Sequence, residues 1–281
     1  MPLAKNNIFQ YILDIITCQT ITMKKFSIKS LSDYITVLKD VKENYIQNKD
    51  DIWFRGVSDI SYELTPGVIW RDIEEPKHSG MIEDWLNEYS MYADSELYDG
   101  FDIYALAQHY GLPTRLLDWT TSPLVALFFA LEKVEQRNHR AIWVMDPFQL
   151  NKKIVKWDGH LSVSDKYLRE THNLEKYLPE TLSGHDDRDL LQGPIAIRVS
   201  PKNRRLTSQK GCFTIHGKSR EKISDILLDT PKSIVRIDIL GKRARDTILK
   251  ELYLLGFTED VIFPDLDSFS KRIKRVWGIT G

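Results

Sequence analysis

The chain has 281 residues, 39 Lys and Arg against 40 Asp and Glu, a formal charge of −1, and 42% hydrophobic residues. These values exclude a disordered chain, a collagen-like repeat and a uniformly basic polyanion binder, and they allow one large domain or two small ones. Two cysteines, Cys18 and Cys212, provide neither a disulfide framework nor a thiolate metal cage. The seven histidines contain no helical i, i+4 pair, so no metal is expected. No apolar run is long enough to span a bilayer. The stretch Ile8–Ile21 is broken by Gln10, Asp14 and Gln19, and no small-residue cleavage site follows it. A cytoplasmic protein without a membrane partner is the expectation, with residues 1–27 as an N-terminal extension.

From Ser30 to Tyr45, Leu31, Tyr34, Ile35, Leu38 and Val41 fall at helical spacing. Ile52–Val57 is β-branched and aromatic and predicts a strand carrying Arg55. Glu83–Tyr98 has helical character. Ile103, Leu106, Ala107 and Tyr110 mark one face of a short helix that Gly111 and Pro113 end. Thr114–Thr120 predicts a strand. Ser122-Pro123 then opens a helix whose run Leu124–Leu131 is apolar on every side, so burial all round is expected. Ala141–Met145 predicts a strand. Residues 151–193 are polar and read as an insertion of weak helix and loop. Strands are expected at Ile195–Val199, Cys212–Ile215 and Ile234–Leu240. A helix over Lys242–Leu255 closes at Gly256, and a basic helix ends the chain. The elements do not alternate strictly, so the fold class is α+β.

Three groups of residues could carry chemistry. Arg55 shares a strand face with Trp53 and Val57, and a guanidinium there requires an anion. That anion is a ligand phosphate or carboxylate, or else the side chain of Asp59 or Asp118. Gly56 beside it would let a ligand approach the backbone. The second group is Gln108–Pro123. His109 lies off the apolar stripe of its helix, Arg115 and Asp118 are spaced to pair, and Trp119 offers a stacking surface beside Thr120, Thr121 and Ser122. That surface precedes a helix N-terminus, which attracts anions. For Ser122, capping is the simpler role, because no nucleophile elbow surrounds it. The third group is basic: Lys202, Arg204, Arg205 and Lys210, then Lys242, Arg243 and Arg245, then Lys271, Arg272, Lys274 and Arg275. These suit a phosphate backbone or are solvated helix faces. Asp265 and Asp267 read as caps of the last helix, and Cys212 as a core residue.

Trp53-Phe54-Arg55-Gly56, the segment Gln108–Ala130, Gln209-Lys210-Gly211-Cys212-Phe213 and Phe263-Pro264-Asp265-Leu266-Asp267 together resemble the FRG domain, which is named for its Phe-Arg-Gly motif. The resemblance implies one domain over residues 28–281, a bacterial origin, and a place in phage defence or toxin systems.

The chain also resembles, more faintly, ADP-ribosyltransferases of the Arg–Ser–Glu type. Their order is an Arg-Gly strand, a strand ending in hydroxyl residues before an apolar helix, a further strand, and an acidic Glu-x-Glu strand. The corresponding segments here are Phe54-Arg55-Gly56-Val57, Trp119-Thr120-Thr121-Ser122 before Leu124–Ala130, Ala141-Ile142-Trp143-Val144, and Ser208-Gln209-Lys210-Gly211 before Phe213-Thr214-Ile215. This implies a split sheet flanked by helices, NAD as substrate, and a transferase passing ADP-ribose to a protein, a nucleic acid or water. Arg55, Gln209, His109 and Asp118 would be catalytic. Arg55, Gly56, Arg115, Trp119, Thr120, Thr121 and Ser122 would bind the dinucleotide. The departure is Gly211, where those enzymes place the glutamate, so Asp118 or Glu221 would have to supply the acid. A non-catalytic module binding a nucleotide or nucleic acid, or a folded partner in a defence system, is the alternative.

Overall fold

The computed structural model describes residues 22–92, 99–133, 139–199 and 207–279. The Ile8–Ile21 stretch, Cys18, Lys202, Arg204 and Arg205 lie outside the described residues. Eight described strands form one mixed sheet in the order β1-β8-β4-β2-β3-β7-β6-β5. They are β1 Lys24–Ile28, β2 Trp53–Val57, β3 Leu116–Thr120, β4 His139–Met145, β5 Leu161–Ser162, β6 Ile195–Arg198, β7 Gly211–Ile215 and β8 Ile234–Leu240. The outermost pairs, β1 with β8 and β5 with β6, are parallel, and the pairs between them are antiparallel. The α+β expectation therefore holds.

Helices cover the sheet where sequence supplies apolar faces and caps. Ser30 and Asp33 form a capping box that opens α1, Leu31–Asp40, which runs on into a wider turn over Val41–Tyr45. The helix expected at Glu83–Tyr98 begins earlier, as α2 over Glu75–Glu88, because Pro76 sits in its first turn. Its expected last residues, 93–98, lie outside the described ones. Asp99 and Asp102 box the start of α3, Gly100–His109, and Gly111 ends it at a φ of +90°. Then come α4, Pro123–Glu132, α5, Pro147–Val155, α6, Lys242–Leu254, and α7, Leu266–Val276. Asp265 caps α7 by accepting from the Ser268 N–H at 2.8 Å, as its sequence position implies.

Strand alternation divides the interior. Phe54, Ile142, Val144, Val235, Ile237 and Ile239 face α1, α4 and α6, whereas Trp53, Val57, Leu117, Trp119, Trp143 and Met145 face the opposite side. A third cluster joins Leu116, Phe213 and Ile215 to α2 and α3. Residues 151–193 differ from the expected appended loop. They contribute β5, and Leu161, Val163, Leu174, Tyr177 and Leu178 are all fully buried in the third cluster. Their apolar residues are few, but nearly every one is spent on the core, which no periodicity reveals. Likewise, β1 lies mostly within the stretch read as an extension, since two lysines and a serine mask a five-residue edge strand.

The expected pairing of Arg115 with Asp118 does not form. Residues three apart along an extended segment point to opposite faces. Arg115, almost fully buried, instead meets Glu75, with Nη1 2.5 Å from Oε2. His78 Nδ1 lies 3.4 Å from the same carboxylate, His78 Nε2 lies 3.1 Å from the Tyr104 hydroxyl, and that hydroxyl accepts the Arg115 N–H at 2.7 Å. The ring of contacts ties α2 and α3 to the start of β3. Burial alone would raise the Glu75 pKa, but the His78 hydrogen bond and the Arg115 guanidinium outweigh it and hold it at about 2.

Gly56 has a packing role as well as its place beside Arg55. A Cβ there would stand 1.8 Å from the Ala126 carbonyl oxygen and 2.7 Å from the Ala130 nitrogen, so the glycine admits the α4 backbone.

Two measurements check these packing arguments. In denaturant unfolding, Gly56→Ala should lose about 3 kcal/mol or fail to fold, since backbone cannot yield as a side chain can. Gly80→Ala, in α2 with open space around it, should gain about 0.5–1 kcal/mol. Because the Glu75 pKa is depressed from 4.5 to about 2, its contribution is full above pH 4.5 and is lost as pH falls towards 2. The melting temperature of Glu75→Gln should therefore be lower than that of the native chain at pH 6, with the gap closing between pH 4.5 and 2.

Candidate functional site

β2 and β3 are neighbours but share a single register position, Phe54 opposite Thr120, whereas each pairs over five positions with its other neighbour. Beyond that position the two strands part. Arg55 lies in the opening. Its Nη1 donates to the Asp118 main-chain carbonyl at 2.6 Å and stands 3.8 Å from Asp118 Oδ2. Of the two side chains open as its anion, Asp118 and not Asp59 is its ion-pair partner. Among the described residues Arg55 Nε is buried with no hydrogen-bond partner. Burial pushes the Arg55 pKa down and Asp118 pushes it back up. A guanidinium begins so high that it remains cationic at neutral pH.

This opening is a cavity of about 390 Å³, within the size range of small-molecule sites. Arg55, Gly56, His109, Asp118, Trp119, Thr120 and Gln209 all line it. Asp118 Oδ2 accepts from Gln108 Nε2 at 3.0 Å, while Gln108 Oε1 accepts from the Thr114 hydroxyl at 2.6 Å. Gln108 thus fixes the orientation of the carboxylate. Slightly more than half of the Asp118 side chain remains exposed to the cavity and solvent. His109, the last residue of α3, is on the same wall, its ring edge-on to Tyr110.

Other candidates are placed differently. The Trp119 ring is buried and its Nε1 donates to Thr214 Oγ1 at 3.1 Å, so it offers no exposed stacking face. Thr120 Oγ1 donates to the Gln209 carbonyl at 2.6 Å and accepts from the Ser122 N–H at 3.0 Å, and so builds the turn into α4. Ser122 occupies the cap position without a side-chain capping bond, and neither it nor Thr121 lines the cavity. Arg115 is outside the cavity too, held by Glu75. Gln209 reaches it, yet its Nε2 donates to the Ile262 carbonyl at 3.3 Å. Glu221 is not among the lining residues. Cys212 and His216 are buried, burial pushing the thiol up and the imidazole down to about 3, so neither is ionised at neutral pH.

Several lining residues went unmarked in the sequence. Glu132 and Lys133 are the first charged residues after the apolar run of α4, and that position is the signal that could have found them. Phe129 and Phe263 pack edge to face, centroids 5.6 Å apart, as the apolar wall. Phe263 belongs to a motif already marked, though without a role. Its segment is tied down twice: Arg272 Nε lies 2.9 Å from Asp260, and Arg275 Nε 3.0 Å from Glu259. These ion pairs spend two of the arginines that a phosphate backbone would need.

Among the described residues no group of three or more His, Cys, Asp or Glu side chains is placed to hold a metal ion. The arrangement can hold an anion at Arg55 and, less than 4 Å away, present the Asp118 carboxylate to a developing positive charge. No curated protein and no solved structure matches the chain. The family model of the FRG domain matches residues 50–139, which run from just before β2 through Arg55, Asp118 and α4 to the start of β4. Residues 50–139 hold the greater part of the cavity wall, and it is over this stretch that the chain is similar to the FRG domain.

Proposed function

We propose that the Arg55 cleft binds NAD and breaks its nicotinamide–ribose bond, passing ADP-ribose to a macromolecule or to water. The observation that carries this reading is the meeting of the three marked segments on adjacent strands. Arg55 and Gly56 of β2, Thr120 at the end of β3, and Gln209 and Gly211 at the start of β7 line one cavity. The single register position shared by β2 and β3, within one continuous sheet, leaves the opening in which that reading places the dinucleotide.

Arg55 holds a phosphate or ribose oxygen through Nε, the donor left without a protein partner among the described residues. As the glycosidic bond breaks, its electron pair leaves with nicotinamide and positive charge develops on the ribose. Asp118 opposes that charge from a position fixed by Gln108. The acceptor oxygen then bonds to the same carbon and gives up its proton, with His109 on the adjoining wall as the nearest imidazole in the lining. Gly211 lines the cavity at the position the resemblance assigns to a glutamate, and Asp118 supplies the charge in its place. That same glycine favours a second reading, a module that binds a nucleotide without turnover.

Calorimetry with NAD, beside an assay of free nicotinamide with and without RNA, tests both readings. Arg55→Lys should weaken NAD binding roughly 10–100-fold, since lysine cannot reproduce the planar fork. Asp118→Asn should lower nicotinamide release on the order of 100-fold while NAD affinity stays within about threefold. Binding without release by the native chain would select the binding module. Folded protein that binds no NAD at millimolar concentration would end both the enzyme reading and its dinucleotide substrate.

A further inference from the structure

The last helix buries little of its apolar face. Along α7, Leu266, Phe269, Ile273 and Val276 recur at intervals of three and four and so form one stripe. All four are exposed, Leu266 at 82%, and Trp277 just past the helix end is 77% exposed. The faces of α7 are used unequally. Ser268 is buried, and Arg272 and Arg275 turn onto Asp260 and Glu259, so the docked side of the helix is its polar one. Arg275 also lies 3.6 Å over the Tyr253 ring, which brings the end of α6 beside the end of α7. There Leu254 and Leu255 add two more uncovered side chains, at 85% and 60%.

We infer that this end of the molecule docks on the surface of an anionic lipid bilayer, with α7 lying in the interface plane. Three observations select that occupant. The side chains protrude: Leu254, Leu266 and Trp277 are each more than three-quarters exposed, as in a convex surface that penetrates a soft phase, and unlike the part-covered walls of a peptide groove. The residues are of interfacial type, aliphatic with Phe269 and Trp277, and Trp concentrates at the headgroup level. The charge is complementary, because Lys271 and Lys274 are exposed on the same helix against one exposed acid, Asp267, while Glu259 and Asp260 are engaged by Arg275 and Arg272. Among the described residues no helix is long and apolar enough to cross a membrane, so the contact is peripheral. It departs from the expectation that the chain has no membrane partner. Docking through the stripe leaves intact the two ion pairs that hold the Phe263 wall of the cleft, and it is independent of the NAD reading.

Vesicle flotation of the full chain tests the inference, using phosphatidylcholine alone and phosphatidylcholine with about 30% phosphatidylglycerol, at ~0.1 M and ~0.5 M salt. The native chain should float with the mixed vesicles at the lower salt and bind neutral vesicles at least about tenfold more weakly. Val276→Ser/Trp277→Ser and Lys271→Glu/Lys274→Glu should each lose at least about tenfold in binding, with unchanged melting temperatures because all four side chains are exposed. Absence of flotation, equal binding to neutral vesicles, or full binding by both variants would overturn it. So would a native dimer that Val276→Ser/Trp277→Ser turns into a monomer, which would assign the face to a second copy.

Discussion

The Arg55 guanidinium in the opening between β2 and β3 is the interaction on which the candidate site depends. Two central strands that separate after one register position would ordinarily leave a water-filled notch and unpaired main-chain groups. Arg55 answers part of that demand by donating to the Asp118 carbonyl and facing its carboxylate. A cation with one buried donor that no described protein group answers is costly unless something else answers it. Under the proposed reading a ligand anion in the cleft completes that demand, so that one residue would serve both the sheet and the substrate.

The neighbours of Arg55 in the Phe-Arg-Gly triplet explain why the opening keeps its shape. Phe54 enters the core beneath α1 and α4, and Gly56 lets α4 lie against β2 at backbone distance. Helix α4 then carries Phe129, Glu132 and Lys133 to the cavity. On the other side, Gln108 from α3 fixes Asp118, and the ring of Glu75, His78, Tyr104 and Arg115 anchors α3 to the start of β3. The Phe263 wall is held from α7 by Arg272 and Arg275. Each wall is therefore fastened to a buried or ion-paired element, as a preorganised site requires.

Much of this was legible in the sequence, for identifiable reasons. Strongly periodic or continuous apolar segments, such as Leu124–Leu131 and Ile234–Leu240, declare their elements. Cap residues such as Ser30 and Asp265 declare where helices begin. Arg55, Asp118, His109, Thr120 and Gln209, marked from motif and residue type, do line one cavity. What was not legible depends on direction. Arg115 and Asp118 are close in sequence but on opposite faces. Trp119 touches the cavity but keeps its ring buried against Thr214, and Thr121, next to Thr120, is not in the lining at all. Gly56 serves a helix that no local pattern places above it. Residues 151–193 are polar on average, yet Leu161, Val163, Leu174, Tyr177 and Leu178 are five of the fifteen buried residues of the third cluster.

A crystal structure of the chain with ADP-ribose measures the central claim most directly. The account predicts the ligand in the β2–β3 opening, with a phosphate or ribose oxygen within hydrogen-bond distance of Arg55 Nε and the anomeric carbon facing Asp118. An Arg55 whose Nε is satisfied by protein while the opening stays shut, or ADP-ribose bound elsewhere, would contradict it.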